Sequence, residues 1–127
     1  MSSGIPYGDP AAILIVEDQG LIRMDAVDMA QRAGFVVFEA ANADDAIAIL
    51  EAHPEIRLVF TDIEMPGSMD GLKLAHYISR RWPPIRLIVA SGKVPRDKAD
   101  LPEGGLFFCK PYAHAEIATA MRTLLAA

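Results

Sequence analysis

Glu17, Asp18, Asp62, Ser91 and Lys110 each stand at the end of an apolar run. The runs are Ile13-Leu14-Ile15-Val16, Leu58-Val59-Phe60-Thr61, Leu87-Ile88-Val89-Ala90 and Leu106-Phe107-Phe108-Cys109. If these are buried strands of an open parallel α/β sheet, their carboxyl ends converge at one edge, where such sheets bind ligands. That edge would hold three carboxylates, a hydroxyl and an ammonium. Three carboxylates in one cleft repel, which raises at least one pKa unless a cation joins them. Mg2+ takes a few carboxylate oxygens together with water and phosphate oxygens. Phosphoryl transfer asks mainly for in-line positioning and neutralised charge. A carboxylate nucleophile supplies a covalent route, with Lys110 and Ser91 as preorganised donors. These residue types therefore point to a divalent metal and a phosphoryl group.

The rest of the chain has to bring those groups together. Non-alternating apolar runs predict strands near 11–17, 35–39, 57–62, 86–91 and 105–109, suited to a sheet covered on both faces. Helical spacing fills the intervals. Ile22, Ala26, Met29, Ala30 and Ala33 form a stripe between 20 and 33, with Gly34 as its stop. Asn42 caps a second helix with the stripe Ala43, Ala46, Ile47 and Leu50. Asp70 caps a third over Gly71 to Arg81, ended by Pro83-Pro84. The last helix starts near Ala113 and uses Ile117, Ala120, Met121 and Leu124. Between Lys93 and Pro102 the only apolar residues besides prolines are Val94, Ala99 and Leu101, so the fourth helix is expected to be short or irregular. Strand–helix alternation with short connections gives right-handed crossovers and a doubly wound parallel sheet. The strand order 2-1-3-4-5 is adopted by analogy with one of the two common orders of this class.

Composition bounds the function. A chain of 127 residues with 52% apolar content fits one globular domain. Residues 1–10, with Gly4, Pro6, Gly8 and Pro10, read as a flexible leader to a domain over 11–127. One cysteine, Cys109, excludes an internal disulfide and reads as a buried core thiol. No run approaches the ~18 apolar residues of a membrane span, and the N-terminus lacks a signal peptide's regions; a cytoplasmic protein is the default. The net charge of −5, with scattered basic residues, argues against direct nucleic-acid binding. His53, His76 and His114 lack metal-ligand spacing and read as surface histidines.

Each candidate residue has an ordinary reading in isolation. Glu17-Asp18 is a solvated strand end, Asp62 a turn residue, Ser91-Gly92 a turn signal, and Lys110-Pro111 uninformative. Their order and shared edge carry the weight. Val16-Glu17-Asp18, Thr61 to Gly67, Met69-Asp70-Gly71, Ala90-Ser91-Gly92 and Cys109-Lys110-Pro111-Tyr112 together resemble the motifs of a bacterial response-regulator receiver domain. The resemblance covers about residues 11–125 and implies a flavodoxin-like (βα)5 fold of the CheY-like superfamily. It implies that Asp62 is the phosphoacceptor, that Asp18 is a direct Mg2+ ligand, and that Glu17 acts mainly through metal-bound water. The backbone carbonyl of Glu64 would complete the metal site. Ser91 would bond a phosphoryl oxygen, Lys110 would pair with Asp62 and then the phosphoryl group, and Phe107 would hold the aromatic-switch position. Glu64 and Lys93, each two residues past an active-site residue, are expected to face each other and modulate the phosphoryl lifetime.

The resemblance further implies a two-component signalling switch rather than an enzyme, assisting its own phosphorylation and dephosphorylation. Its donor would be a histidine kinase or histidine phosphotransfer protein, and its output an unknown downstream protein. A phosphate sink and a phosphorylation-independent interaction module are the alternatives; the second would usually lack Asp62 or Lys110. An aspartyl phosphatase would want Asp-x-Asp where Glu17-Asp18-Gln19 stands, and a flavin protein would want a phosphate loop there. The interval from Ser91 to Lys110 is about one helical turn shorter than is usual in the family, and Ser68 looks like an added loop residue. Ser91-Gly92-Lys93 and the short segment look most like receivers from alphaproteobacteria, and the resemblance leaves open a stand-alone, single-domain regulator or a receiver cut from a larger protein. The same segment, able to bury little area, is expected to be mobile without phosphate and more ordered with it.

Overall fold

The structure, a computed structural model, describes residues 10–93 and 100–126. Five parallel strands form one sheet: β1 (Ala12–Val16), β2 (Val36–Ala40), β3 (Ile56–Asp62), β4 (Arg86–Ser91) and β5 (Leu106–Cys109). They lie in the order β2-β1-β3-β4-β5. Four helices complete the described fold: α1 (Gly20–Arg32), α2 (Ala43–Ala52), α3 (Gly71–Arg81) and α4 (His114–Ala126). This is the expected flavodoxin-like α/β architecture. The expected fourth helix falls largely on residues 94–99, outside the described residues, as does most of the expected leader.

Alternation along β1 builds both halves of the core. Leu14 and Val16 face the layer of α2 and α3, packing with Ala46, Leu50, Leu74 and Ile78. Ile13 and Ile15 face α1 and α4, packing with Met29, Ala30, Ile117 and Met121. Burial on both faces is why β1, β3 and β4 read as continuous apolar runs. The two edge strands are only partly covered. Cys109, on edge strand β5, is consequently exposed rather than a core thiol.

Local chemistry sets the helix ends. The Asn42 side chain accepts from the Asp45 amide at 2.8 Å, and the Asp70 side chain from the Lys73 amide at 2.9 Å. Gly34 adopts φ +97° just beyond α1, a conformation that stops a helix and suits glycine. Ile22, the first member of the α1 stripe, is 36% exposed. It lies at the rim of the sheet edge beside Glu17 and Tyr112 instead of in the core.

Register brings the functional strand ends level. Val16 is paired with Ala40 and Thr61, Asp62 with Ala90, and Ser91 with Cys109. The residues following β1 and β5, and those ending β3 and β4, therefore share one edge.

Candidate functional site at the carboxyl edge of the sheet

One carboxylate oxygen from each of Glu17, Asp18 and Asp62 lies within 4.8 Å of the other two. Glu17 and Asp62 are 4% and 7% exposed, so their charges cannot be left to bulk water. Lys110 reaches in from the end of β5. Its Nζ stands 2.9 Å from Asp62 Oδ1 and 3.3 Å from Glu17 Oε1. The lysine main chain is fixed as well, because its amide donates to the Ser91 carbonyl at 2.8 Å.

Burial leads in raising the pKa of Glu17 above the usual carboxylate range, and contact with Asp18 and the charge of Asp62 add to it. Asp62 is also pushed up, first by burial and against the pull of Lys110. The expected repulsion among carboxylates thus contributes, but desolvation is the larger cause. For Lys110, burial works against the charged form, yet Asp62 and Glu17 together hold its pKa above the ordinary lysine value.

One ammonium cannot satisfy three carboxylates. Among the described residues Asp18 Oδ1 is buried without a hydrogen-bond partner. Asp62 Oδ1 likewise has no well-angled hydrogen bond, its approach to Lys110 being ionic in character. Orphaned buried oxygens of this kind are costly. A cluster of hard oxygen donors with excess negative charge fits Mg2+.

The remaining candidates divide. Ser91, at 2% exposure, donates its hydroxyl to Glu64 Oε2 at 2.7 Å. Glu64 Oε1 accepts from the Gly92 amide at 3.3 Å. Among the described residues no ion pair joins Glu64 and Lys93, the two residues expected to face each other. The reason is that the Glu64 carboxylate turns to Ser91 and Gly92, while Lys93 is exposed and its amide donates to Ser91 Oγ at 3.0 Å. Phe107 is half-buried on β5, opposite Val89.

Three contributors have roles that residue type and spacing do not reveal. A Cβ on Gly71 would overlap the Asp62 carbonyl oxygen and lie 2.6 Å from its carbonyl carbon. The bare backbone is what lets α3 start against the end of β3, with the Gly71 amide donating to the Ile63 carbonyl at 2.9 Å. The glycine after a helix cap was a visible signal, but the close approach was not. Arg23 braces the back of the acidic pair: Nη1 donates to the Glu17 carbonyl at 2.9 Å and Nε pairs with Glu39 at 3.0 Å. In sequence it was one charge off the apolar stripe. Tyr112 packs edge-on to Phe60 at 5.5 Å between ring centres, lining the crevice behind Asp62 and Lys110. Ser68, seen as an added loop residue, donates to Asp44 at 2.8 Å and ties its loop to α2.

The response regulator receiver domain model matches residues 13–122. Over 119 residues the chain is 34% identical to the sensor kinase CckA of Brucella abortus, covering 91% of this chain and 12% of that protein. It is 32% identical to the sporulation initiation phosphotransferase F of Bacillus subtilis, covering 89% of this chain and 92% of the relative. The chain spans 55% of a third relative, the transcriptional regulatory protein PdtaR of Mycobacterium tuberculosis. A response regulator receiver protein from Sinorhizobium medicae superimposes with a TM-score of 0.86 at 26% identity, covering 93% of this chain and 96% of that one. Among the described residues no helix is long and apolar enough to cross a membrane. The chain belongs to the response regulator receiver domain family.

Proposed function

We propose that this chain is a phosphorylation-controlled switch of a two-component system that accepts a phosphoryl group on Asp62. The observation that carries the reading is the contact of Lys110 Nζ with both Asp62 and Glu17, two members of the carboxylate cluster that Asp18 completes. Glu17, Asp18, Asp62 and the carbonyl of Glu64 are the groups that would hold Mg2+. When bound, the ion offsets the carboxylate charge and the charge of the incoming phosphoryl oxygens.

The chain's own residues account for the rest. An Asp62 carboxylate oxygen attacks phosphorus as the bond to a donor imidazole nitrogen breaks; the donor ring, protonated on its other nitrogen, takes the bonding pair and leaves as neutral histidine, with an acyl phosphate on Asp62. Lys110 neutralises the carboxylate beforehand and moves to a phosphoryl oxygen afterwards. Ser91 donates its hydroxyl to another phosphoryl oxygen, and Phe107 rotates with that movement. Attack by water on phosphorus later releases phosphate and restores the carboxylate; Glu64 and Lys93 border the route of that water. The donor is a histidine kinase or histidine phosphotransfer protein in the cytoplasm, and the output is a protein–protein contact.

The test is labelling with acetyl phosphate or a phosphohistidine donor. Wild-type protein should be labelled only with Mg2+, Asp62→Asn should not be labelled, and Asp18→Ala should bind Mg2+ more weakly. Labelling of Asp62→Asn at the wild-type level would sink the assignment.

A further inference from the structure

We propose that Glu64 is a positioning residue that holds the Ser91 hydroxyl away from the phosphoryl site, so that activation requires Ser91 to leave it. The inference rests on the phosphoacceptor reading of Asp62. A serine hydroxyl has one proton and donates it to one acceptor at a time. Here that proton goes to Glu64 Oε2 at 2.7 Å, a charge-assisted bond of the stronger kind. Glu64 Oε1 grips the next residue through the Gly92 amide at 3.3 Å. The Lys93 amide donates to Ser91 Oγ at 3.0 Å, which aligns the hydroxyl further. The Ser91 carbonyl is meanwhile fixed by the Lys110 amide. Ser91 is therefore anchored on its main-chain side to the phosphate-pairing lysine and on its side-chain side to Glu64. The phosphoryl group and Glu64 compete for the same proton.

The competition gives Glu64 a role distinct from its negative charge, and a double-mutant design separates the two. The probe is beryllofluoride with Mg2+, a phosphoryl mimic, titrated into the full chain. Glu64→Ala should tighten binding about fivefold, the low end of a typical coupling between sites. Glu64→Gln keeps an acceptor for Ser91 without the charge and should fall between. In a Ser91→Ala background, Glu64→Ala should change nothing, because no hydroxyl remains to be released. Equal tightening in both backgrounds would show simple charge repulsion and overturn the proposal.

A second readout needs neither metal nor mimic. Amide exchange at Gly92 and Lys93 should quicken in unliganded Glu64→Ala, and unchanged exchange would overturn the latch. If exchange quickens but wild-type protein fails to bind the mimic, the phosphoacceptor reading fails and the signalling role of Glu64 falls with it.

Discussion

The two flanks of the site are held very differently. On one flank, β1 and β3 run through the centre of the sheet, and Glu17 and Asp62 emerge from strands buried on both faces. On the other, β5 is an edge strand of four residues with exposed ends, carrying half-buried Phe107 and followed by half-buried Lys110. Ser91 sits between them, buried itself but followed at once by exposed Gly92 and Lys93. The chemistry that needs fixed geometry is placed on the rigid flank. The groups proposed to respond are placed where fewer contacts must be broken, and low-stability regions are where conformational change is drawn from.

Truncating a side chain on each flank sharpens that contrast most. Leu58 is fully buried, and Leu58→Ala should cost about 2–5 kcal/mol in denaturant unfolding. Leu106 on β5 is 36% exposed, and Leu106→Ala should cost about 1 kcal/mol or less. Similar losses would erase the distinction between centre and edge.

Gly71→Ala comes next. The added methyl has no space against the Asp62 carbonyl, so α3 or the end of β3 has to shift, at about 1–3 kcal/mol. Because the displaced atoms belong to Asp62, phosphorylation by acetyl phosphate should slow as well. A stable variant with a normal rate would show that the rigid flank tolerates movement.

A smaller effect appears in the pH dependence of metal-free protein. Burial raises the pKa of both Glu17 and Asp62. Between the ordinary carboxylate range and those raised values, the folded state holds more protons than the unfolded one. Stability is then greatest on the acid side of that window and falls as pH rises through it. Glu17→Gln should flatten the fall and raise the neutral-pH Tm in the presence of a chelator. Lys110 acts in the alkaline range: its raised pKa contributes stability below the ordinary lysine value, lost as pH climbs through the folded one. Thermal unfolding across pH, with and without Mg2+, reads both trends.

The smallest effect lies away from the site. Asn42→Ala removes the cap on α2 and should cost about 1 kcal/mol without changing phosphorylation.

Much of this architecture was legible in the sequence because it depends on local signals. The four apolar runs before Glu17, Asp62, Ser91 and Lys110 are strands, and Asn42, Asp70 and Gly34 mark helix ends as expected. The errors are tertiary. Cys109 reads as core by residue type, but its strand lies at the edge of the sheet. Ile22 matches the helical stripe, but that turn of α1 rises past the core toward the acidic rim. Sequence offsets alone give no sign that the Glu64 carboxylate bonds Ser91 and the Gly92 amide. Arg23 and Gly71 act through backbone approaches that no periodicity encodes.

The most direct measurement targets one atom group, the Asp62 carboxylate. Wild-type protein should be incubated with acetyl phosphate and Mg2+, reduced with borohydride, and mapped by mass spectrometry. A single modified residue, Asp62, converted to homoserine, is the expected result, with no conversion when a chelator is present. Modification at Glu17, Asp18 or any other carboxylate, or conversion of Asp62 independent of Mg2+, would contradict it.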